Sequence, residues 1–143
     1  MAHILVLNGP NLNLLGTRET ELYGTRSFDD YLVELRSTFS GHTIDIVQSN
    51  IEGELINALQ GAIGNYSGVV LNAGGFSHTS VAIRDTIAWL SLPVVEVHIS
   101  NIHAREEFRE RSITGAKCVG VITGFGMDGY RLAIDHLLTR GVK

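Results

Sequence analysis

The sequence predicts an α/β fold, a parallel sheet of five strands with helices on both faces. Short apolar runs alternate with segments whose apolar residues recur at helical spacing, five times along the chain. The runs are almost continuously apolar, as strands covered on both faces are. With 143 residues, 44% hydrophobic and 18% charged, the chain has material for one core and a single domain spanning 1–143. Right-handed crossovers then favour the flavodoxin-like strand order 2-1-3-4-5, a three-layer sandwich.

The elements follow in order. Ile4 to Leu7 reads as the first strand. Ser27 is placed to cap a helix whose buried stripe is Phe28, Tyr31, Leu32, Leu35 and Phe39. Ile44 to Val47 is the second strand, and Leu55, Leu59, Ala62, Ile63 and Tyr66 mark the next helix. Val69 to Leu71 is the third strand; Val81 to Leu90 is helical, with Thr79 or Ser80 as its cap. Pro93 introduces the fourth strand, Val94 to Ile99. A short charged helix is expected from about Ala104 to Arg111, and the fifth strand from Val119 to Ile122. The last helix runs from about Tyr130 to Thr139, and Gly141 stops it. No repeat, low-complexity segment or interdomain linker interrupts this order.

Composition narrows the partners. The formal net charge of −4 argues against nucleic acid, whose phosphates demand a basic footprint. A lone cysteine, Cys118, excludes an internal disulfide and fits a reducing compartment. The chain runs from Met1 straight into an apolar strand with no basic leader, and no apolar stretch reaches the roughly 20 residues of a membrane span. A cytoplasmic protein without a membrane partner is expected. Lys117 and Lys143 are the two lysines; the other nine basic residues are arginine, the residue for fixed, bidentate anion recognition.

In open α/β sheets ligands bind beyond the carboxyl ends of the strands, near the switch between strands 1 and 3. The rim residues are Asn8 to Asn11, Gln48, Asn72 to Gly75, His98 to Asn101 and Gly124 to Gly126. They are rich in amide, imidazole and glycine. The connection from Asn8 to Ser27 far exceeds the usual βα length of about 2–6 residues. Gly16 and Gly24 bracket a segment holding Arg18 and Tyr23, which suits a lid closing over substrate. An ordinary surface loop is the alternative; its place at the strand switch favours the lid. A guanidinium beside a phenol favours the phenolate, so Arg18 and Tyr23 read as an activator and a base.

The fourth strand ends EVHISN. Glu96 and His98 point to one face of it. A carboxylate beside an imidazole fixes its tautomer and raises its pKa, which suits a general acid. A core histidine satisfied by a carbonyl is the alternative. The amides of Ile99 and Ser100 follow and are placed to cradle a carboxylate. After the third strand, Gly74 and Gly75 allow close backbone approach, with Asn72 and His78 as polar contacts. A capping or surface role for His78 is an equal alternative.

Two patterns are set aside. Gly124, Gly126 and Gly129 match G-x-G-x-x-G, but no strand follows to complete a βαβ unit, so they read as a tight turn and close packing. His78, His98 and His103 form no recognised metal-ligand spacing, and no metal is expected.

NGPNLNLLGTRETELYG, HTSVAIRD, EVHISNIHAREEFR and the closing GVITGFGMDGYRLAI together resemble type II 3-dehydroquinate dehydratase over nearly the whole chain. The resemblance implies a flavodoxin-like fold, trimers assembled into a dodecamer, no cofactor, and loss of water from 3-dehydroquinate by anti elimination through an enolate. Carried over by residue, it implies Tyr23 as the base, Arg18 as its activator, and His98 as the acid with Glu96 behind it. Asn11 would orient an enolate-stabilising water. Asn72 and the amides of Ile99 and Ser100 would hold the carboxylate, and His78 and Arg109 the ring hydroxyls. Asp85 would enter a neighbouring subunit's site. The family often has proline where Thr20 stands, and NPGA where this chain has Asn72-Ala73-Gly74-Gly75. A looser lid and a slightly altered carboxylate loop are expected. Two alternatives stay open: another lyase or isomerase using enolate chemistry on a related ring acid, and a flavodoxin-like module binding FMN or a phosphorylated partner.

Overall fold

The structure, a computed structural model, describes residues 1–139. Five parallel strands form one sheet, β1 (His3–Asn8), β2 (Thr43–Gln48), β3 (Gly68–Asn72), β4 (Val94–His98) and β5 (Gly120–Thr123), in the order β2-β1-β3-β4-β5. Five helices accompany them: α1 (Thr20–Tyr23), α2 (Phe28–Thr38), α3 (Glu52–Gln60), α4 (Val81–Trp89) and α5 (Asp128–Thr139). The expected fold class and strand order are the observed ones.

Alternation along the strands splits the core in two. Ile4, Val6, Val70, Val95 and Val97 face α2 and α5, packing on Tyr31, Leu35, Tyr130 and Ile134. Leu5, Leu7, Val69, Leu71 and Val94 face α3 and α4, packing on Leu55, Leu59, Ile83 and Ile87. Glu96 falls on this second face, opposite Leu71 in the ladder. Ser27 caps α2, accepting from the Asp30 amide at 3.1 Å, and Ser80 caps α4, accepting from the Ile83 amide at 2.9 Å.

Three local expectations change. The charged helix from Ala104 to Arg111 does not form. Two 3₁₀ turns, Ile102–Ala104 and Glu107–Arg109, flank an extended break at Arg105 and Glu106. The segment has no apolar stripe to bury, and its one large apolar residue, Phe108, is exposed; charge alone does not hold a short helix on a surface. α3 stops at Gln60, so Ala62, Ile63 and Tyr66 lie in the following turn, where Gly64 takes a left-handed φ of 81°. The long connection after β1, read as a lid loop, contains the 3₁₀ turn Leu12–Leu14 and helix α1. The expected stop at Gly141, and Lys143, lie outside the described residues.

The glycine pattern near the carboxyl end acts as packing and turn. Gly124 adopts a φ of 95°, and a Cβ on Gly129 would sit 3.0 Å from Val97 Cγ1. The Gly124 and Gly126 amides donate to the carbonyls of His98 and Ile99 at 3.2 and 3.0 Å, tying the end of β4 to the turn before α5. The ends of β1 and β3 are pressed together more closely still: a Cβ on Gly9 would lie 2.5 Å from the Ala73 carbonyl oxygen. Overpacking of this kind costs about 1–3 kcal/mol. Gly9→Ala is therefore expected to lower the melting temperature measured by circular dichroism. A variant melting with the parent would mean that these segments part freely.

Candidate active site

Each of the five strands among the described residues ends in a polar side chain: Asn8, Gln48, Asn72, His98 and Thr123. Register pairs Asn8 with both Gln48 and Asn72, and His98 with Thr123, so these ends share one edge of the sheet. Beyond it lies a cavity of about 130 Å³. That is well below the roughly 300–1,000 Å³ of pockets for drug-sized ligands, and suits a small molecule better than a flavin nucleotide. Of the residues expected from sequence, Asn11, Arg18, Tyr23, Asn72, His98, Ile99, Ser100 and Arg109 line it. Arg105 joins them, and among the described residues no Asp or Glu does. Three guanidinium groups without a facing carboxylate favour an anionic ligand.

The long connection reaches the cavity by being pinned at its neck. Leu12 and Leu15 are buried in the core. Gly16 has a φ of 91°, and a Cβ there would meet the Thr25 carbonyl oxygen at 2.8 Å. The chain leaves and returns at this point, as in an Ω-loop. Between lie Arg18, Glu19 and α1. Asn11 and Glu19 are the two non-glycine residues with left-handed backbone among those described, φ 71° and 42°. Such conformations are held only where the surroundings over-determine them, and they gather at functional sites.

Tyr23 ends α1 and turns its hydroxyl to Arg105, whose Nη1 donates to Oη at 2.7 Å. The guanidinium carbons of Arg18 and Arg105 lie 5.3 and 5.5 Å from the Tyr23 ring centroid. Arg18 also donates to Glu19 at 2.6 Å. The Arg105 side chain is largely buried, and its extended backbone is what carries it across to Tyr23. Sequence reading missed this residue because it lay inside the expected charged helix. Its signal was present in NIHAREEFR, four residues before Arg109.

On β4 the expected pair is formed. Glu96 is fully buried and His98 almost so, with His98 Nε2 2.8 Å from Glu96 Oε2. Burial pushes the Glu96 carboxyl up, but the hydrogen bond and charge of His98, with the hydroxyls of Ser112 and Thr114, outweigh it and hold the carboxyl below the usual carboxylate range. Glu96 is thus the ionised acceptor and the imidazole N–H the donor.

Asn72 is fixed by a chain of hydrogen bonds from the C-terminal helix. Its Nδ2 donates to the Tyr130 hydroxyl at 2.9 Å, and that hydroxyl donates to Asn8 Oδ1 at 2.8 Å. The Gly74 amide donates to Asn72 Oδ1 at 3.2 Å. Tyr130 is fully buried, which pushes its hydroxyl well above the ordinary phenol range and keeps it protonated. Tyr130 appeared in the sequence only as the start of a helix.

Besides Glu96, two expected residues stand off the cavity wall. His78 stacks on His98 with centroids 6.1 Å apart, while its Nδ1 lies 2.8 Å from the Arg111 carbonyl oxygen. Asp85 lies on α4, is exposed and pairs with Arg84 at 3.4 Å. Burial, and then the charge of Glu96, push the Cys118 thiol up, so it is no nucleophile at neutral pH.

A sequence model of the family described as "Dehydroquinase class II" matches residues 2–138. The chain is 51% identical to the 3-dehydroquinate dehydratase of Fusobacterium nucleatum, over 94% of this chain and 95% of that one. It is 50% identical to the enzyme of the same name from Bacillus licheniformis, over the whole of both chains. The solved type II dehydroquinase of Butyrivibrio crossotus superposes with a TM-score of 0.91 at 43% identity, covering 96% of this chain and 98% of that one. The chain belongs to the class II dehydroquinase family.

Proposed function

We propose that this chain dehydrates 3-dehydroquinate to 3-dehydroshikimate through an enolate, with Tyr23 as base and His98 as acid. Family membership makes it a hydro-lyase. The observation that carries the assignment of roles is the convergence of two differently partnered groups on one small cavity. Tyr23 accepts from Arg105 under two guanidinium groups, and His98 donates to an ionised Glu96.

In this reading the Tyr23 oxygen, its negative charge stabilised by Arg105 and Arg18, removes the proton at C2, next to the C3 ketone. The electrons move onto the carbonyl oxygen as an enolate, which a water oriented by Asn11 stabilises. The enolate collapses, the C1 hydroxyl leaves, and His98 gives it the proton that makes water. Base and acid act on opposite faces, an anti elimination. Asn72 and the amides of Ile99 and Ser100 receive the carboxylate; Arg109 and His78 receive the ring hydroxyls. The steps use side chains of the chain and no cofactor. The reading extends to a place in the cytoplasm and in the shikimate pathway or quinate catabolism.

The direct test mixes protein with 3-dehydroquinate and follows the conjugated enone in the ultraviolet. Tyr23→Phe keeps the ring and loses the proton acceptor, so turnover should fall about 10²-fold or more with the fold intact. His98→Ala should lower kcat far more than it raises KM. A folded Tyr23→Phe protein with parental activity would remove the tyrosine from its role.

An imine route through lysine is not expected. Lys117 closes the 3₁₀ turn before β5, at the amino edge of the sheet and opposite the cavity, and is exposed. Borohydride added during turnover should leave the intact mass unchanged; a substrate-dependent mass gain abolished by Lys117→Arg would replace the enolate mechanism with a Schiff base.

Trimers assembled into a dodecamer are part of the same reading. Support comes from Asp85 standing outside its own cavity on α4, a helix that also exposes Val81 and Trp89. If Asp85 serves a neighbour's site, mixing inactive Asp85→Ala and Tyr23→Phe subunits by unfolding and refolding should restore activity, because some sites then hold both native residues. No recovery in mixed oligomers would confine Asp85 to its own subunit.

A further inference from the structure

The turn after Arg111 is built around the Glu96 carboxylate. Ser112 Oγ donates to Glu96 Oε2 at 2.6 Å, and Thr114 Oγ1 donates to Glu96 Oε1. The Gly115 amide donates to Ser112 Oγ at 3.0 Å. That bond occupies an acceptor position of the serine and turns its hydrogen toward the carboxylate. Residue 115 has no room for a side chain: a Cβ would lie 2.8 Å from Glu96 Oε2 and 3.0 Å from Ser112 Oγ. The turn is held in place from another element, since the Ile113 amide donates to the Ser77 carbonyl at 2.9 Å. Thr114 is fully buried. These are three residues of one turn, each shaped to the two oxygens of one buried acid.

We propose that Ser112 and Thr114 are positioning residues that keep the proton shared by Glu96 and His98 on the imidazole. The inference rests on the reading of His98 as the acid. Between a buried carboxylate and an imidazole, one proton has two homes. On Glu96 it gives a neutral pair, in which His98 keeps one ring N–H but is a far weaker acid toward a leaving hydroxyl than an imidazolium. On His98 it gives an ion pair, and that arrangement needs the carboxylate's lone pairs filled by donors. Oε1 takes the Thr114 hydroxyl; Oε2 takes Ser112 and the imidazole. Hydroxyl donors stabilise the anion and not the acid, so they bias the proton toward His98.

The other groups facing this pair do not supply that bias. His78 stacks on His98 at 6.1 Å but makes its own hydrogen bond to the Arg111 carbonyl. Cys118 lies near Glu96 with its thiol pushed up and protonated. Arg18, Arg105, Arg109 and Tyr23 line the cavity on the far side of His98. Neither Ser112 nor Thr114 lines the cavity.

The test is a kcat profile against pH for Thr114→Val, which keeps the shape and loses the donor, for Ser112→Ala, and for both together. Each lost hydroxyl should lower kcat roughly tenfold or more, the scale of a hydrogen bond to a charged group, with KM little changed. The acid limb should move to higher pH, because a carboxylate with fewer donors takes up a proton sooner. Thr114→Ser should restore both features; a merely structural role would change the yield of folded protein and leave the profile's shape alone. If the double variant does not fold, Thr114→Val and Thr114→Ser carry the comparison. Profiles that superpose on the parent's, or a Thr114→Ser variant as impaired as Thr114→Val, overturn the inference. His98→Ala is measured alongside: an inactive His98→Ala with a native Thr114→Val profile sinks only this inference, whereas an active His98→Ala removes the acid assignment as well.

Discussion

A carboxylate with no access to water sits in the middle of the sheet, and the arrangement of the active edge follows from the need to satisfy it. Transfer of an ionised acid from water into a protein interior costs several kcal/mol even after relaxation. Glu96 occurs on the face of β4 that otherwise packs against the aliphatic layer under α3 and α4. Leaving it unpaired there would favour its neutral form. Three donors from two segments prevent that: the imidazole two residues along the strand, and two hydroxyls from a turn 16 and 18 residues further on. A strand alone places His98. The turn from Ser112 to Gly115 must close over the carboxylate from outside, and the carbonyl of Ser77 and the glycine at 115 let it do so.

The cavity applies the opposite rule to charge. Behind His98 the acid is buried and paired. In front of it, three arginines line the space and, among the described residues, no carboxylate does. Their counter-charges stand at the margin, Glu19 beside Arg18 and Glu106 beside Arg105 and Arg109. A small anion therefore meets fixed positive charge and fixed amides, while the partners that keep the guanidinium groups in place stay out of its way. The pinned neck at Gly16 makes this compatible with a long loop. Residues 17 to 24 can carry Arg18 and Tyr23 over the edge without loosening the core beneath, because Leu12 and Leu15 remain buried.

The sheet and most of the helices were legible in the sequence because they depend on apolar period, which runs through each strand and the longer helices, and the strand order followed from crossover handedness. The Glu96–His98 pair was legible for the same reason: a spacing of two on a strand forces one face. The failures share a different cause. Ala104 to Arg111 carried charge without an apolar stripe, so its backbone was decided by tertiary partners: Asn101 capping one turn, and Arg105 reaching Tyr23 and Ser100. Ser112 and Thr114 looked like ordinary loop hydroxyls, because nothing local links them to a glutamate on a distant strand. Tyr130 is 58 residues from Asn72 and 122 from Asn8. Long-range hydrogen bonds leave no periodic trace, and they are what orders this site.

Two tyrosines show how the fold separates duties that residue type leaves open. Tyr130 and Tyr23 both point a hydroxyl toward the same edge. Tyr130 is enclosed by Phe28 and Tyr31, with ring centroids 4.9 and 6.3 Å away, and burial keeps its proton on. Holding that proton, it can donate to Asn8 and accept from Asn72 at once, which gives the amide of Asn72 one orientation rather than two. Tyr23 sits on a loop, partly exposed, with a guanidinium donor on its oxygen and a second over its ring. The same phenol there is surrounded by cationic side chains. Low dielectric without a cation makes a fixed strut; at the margin of solvent the loop tyrosine is held by guanidinium groups instead. The chemistry of the site is thus divided by burial, and burial is set by which side of the sheet's edge each residue's element occupies.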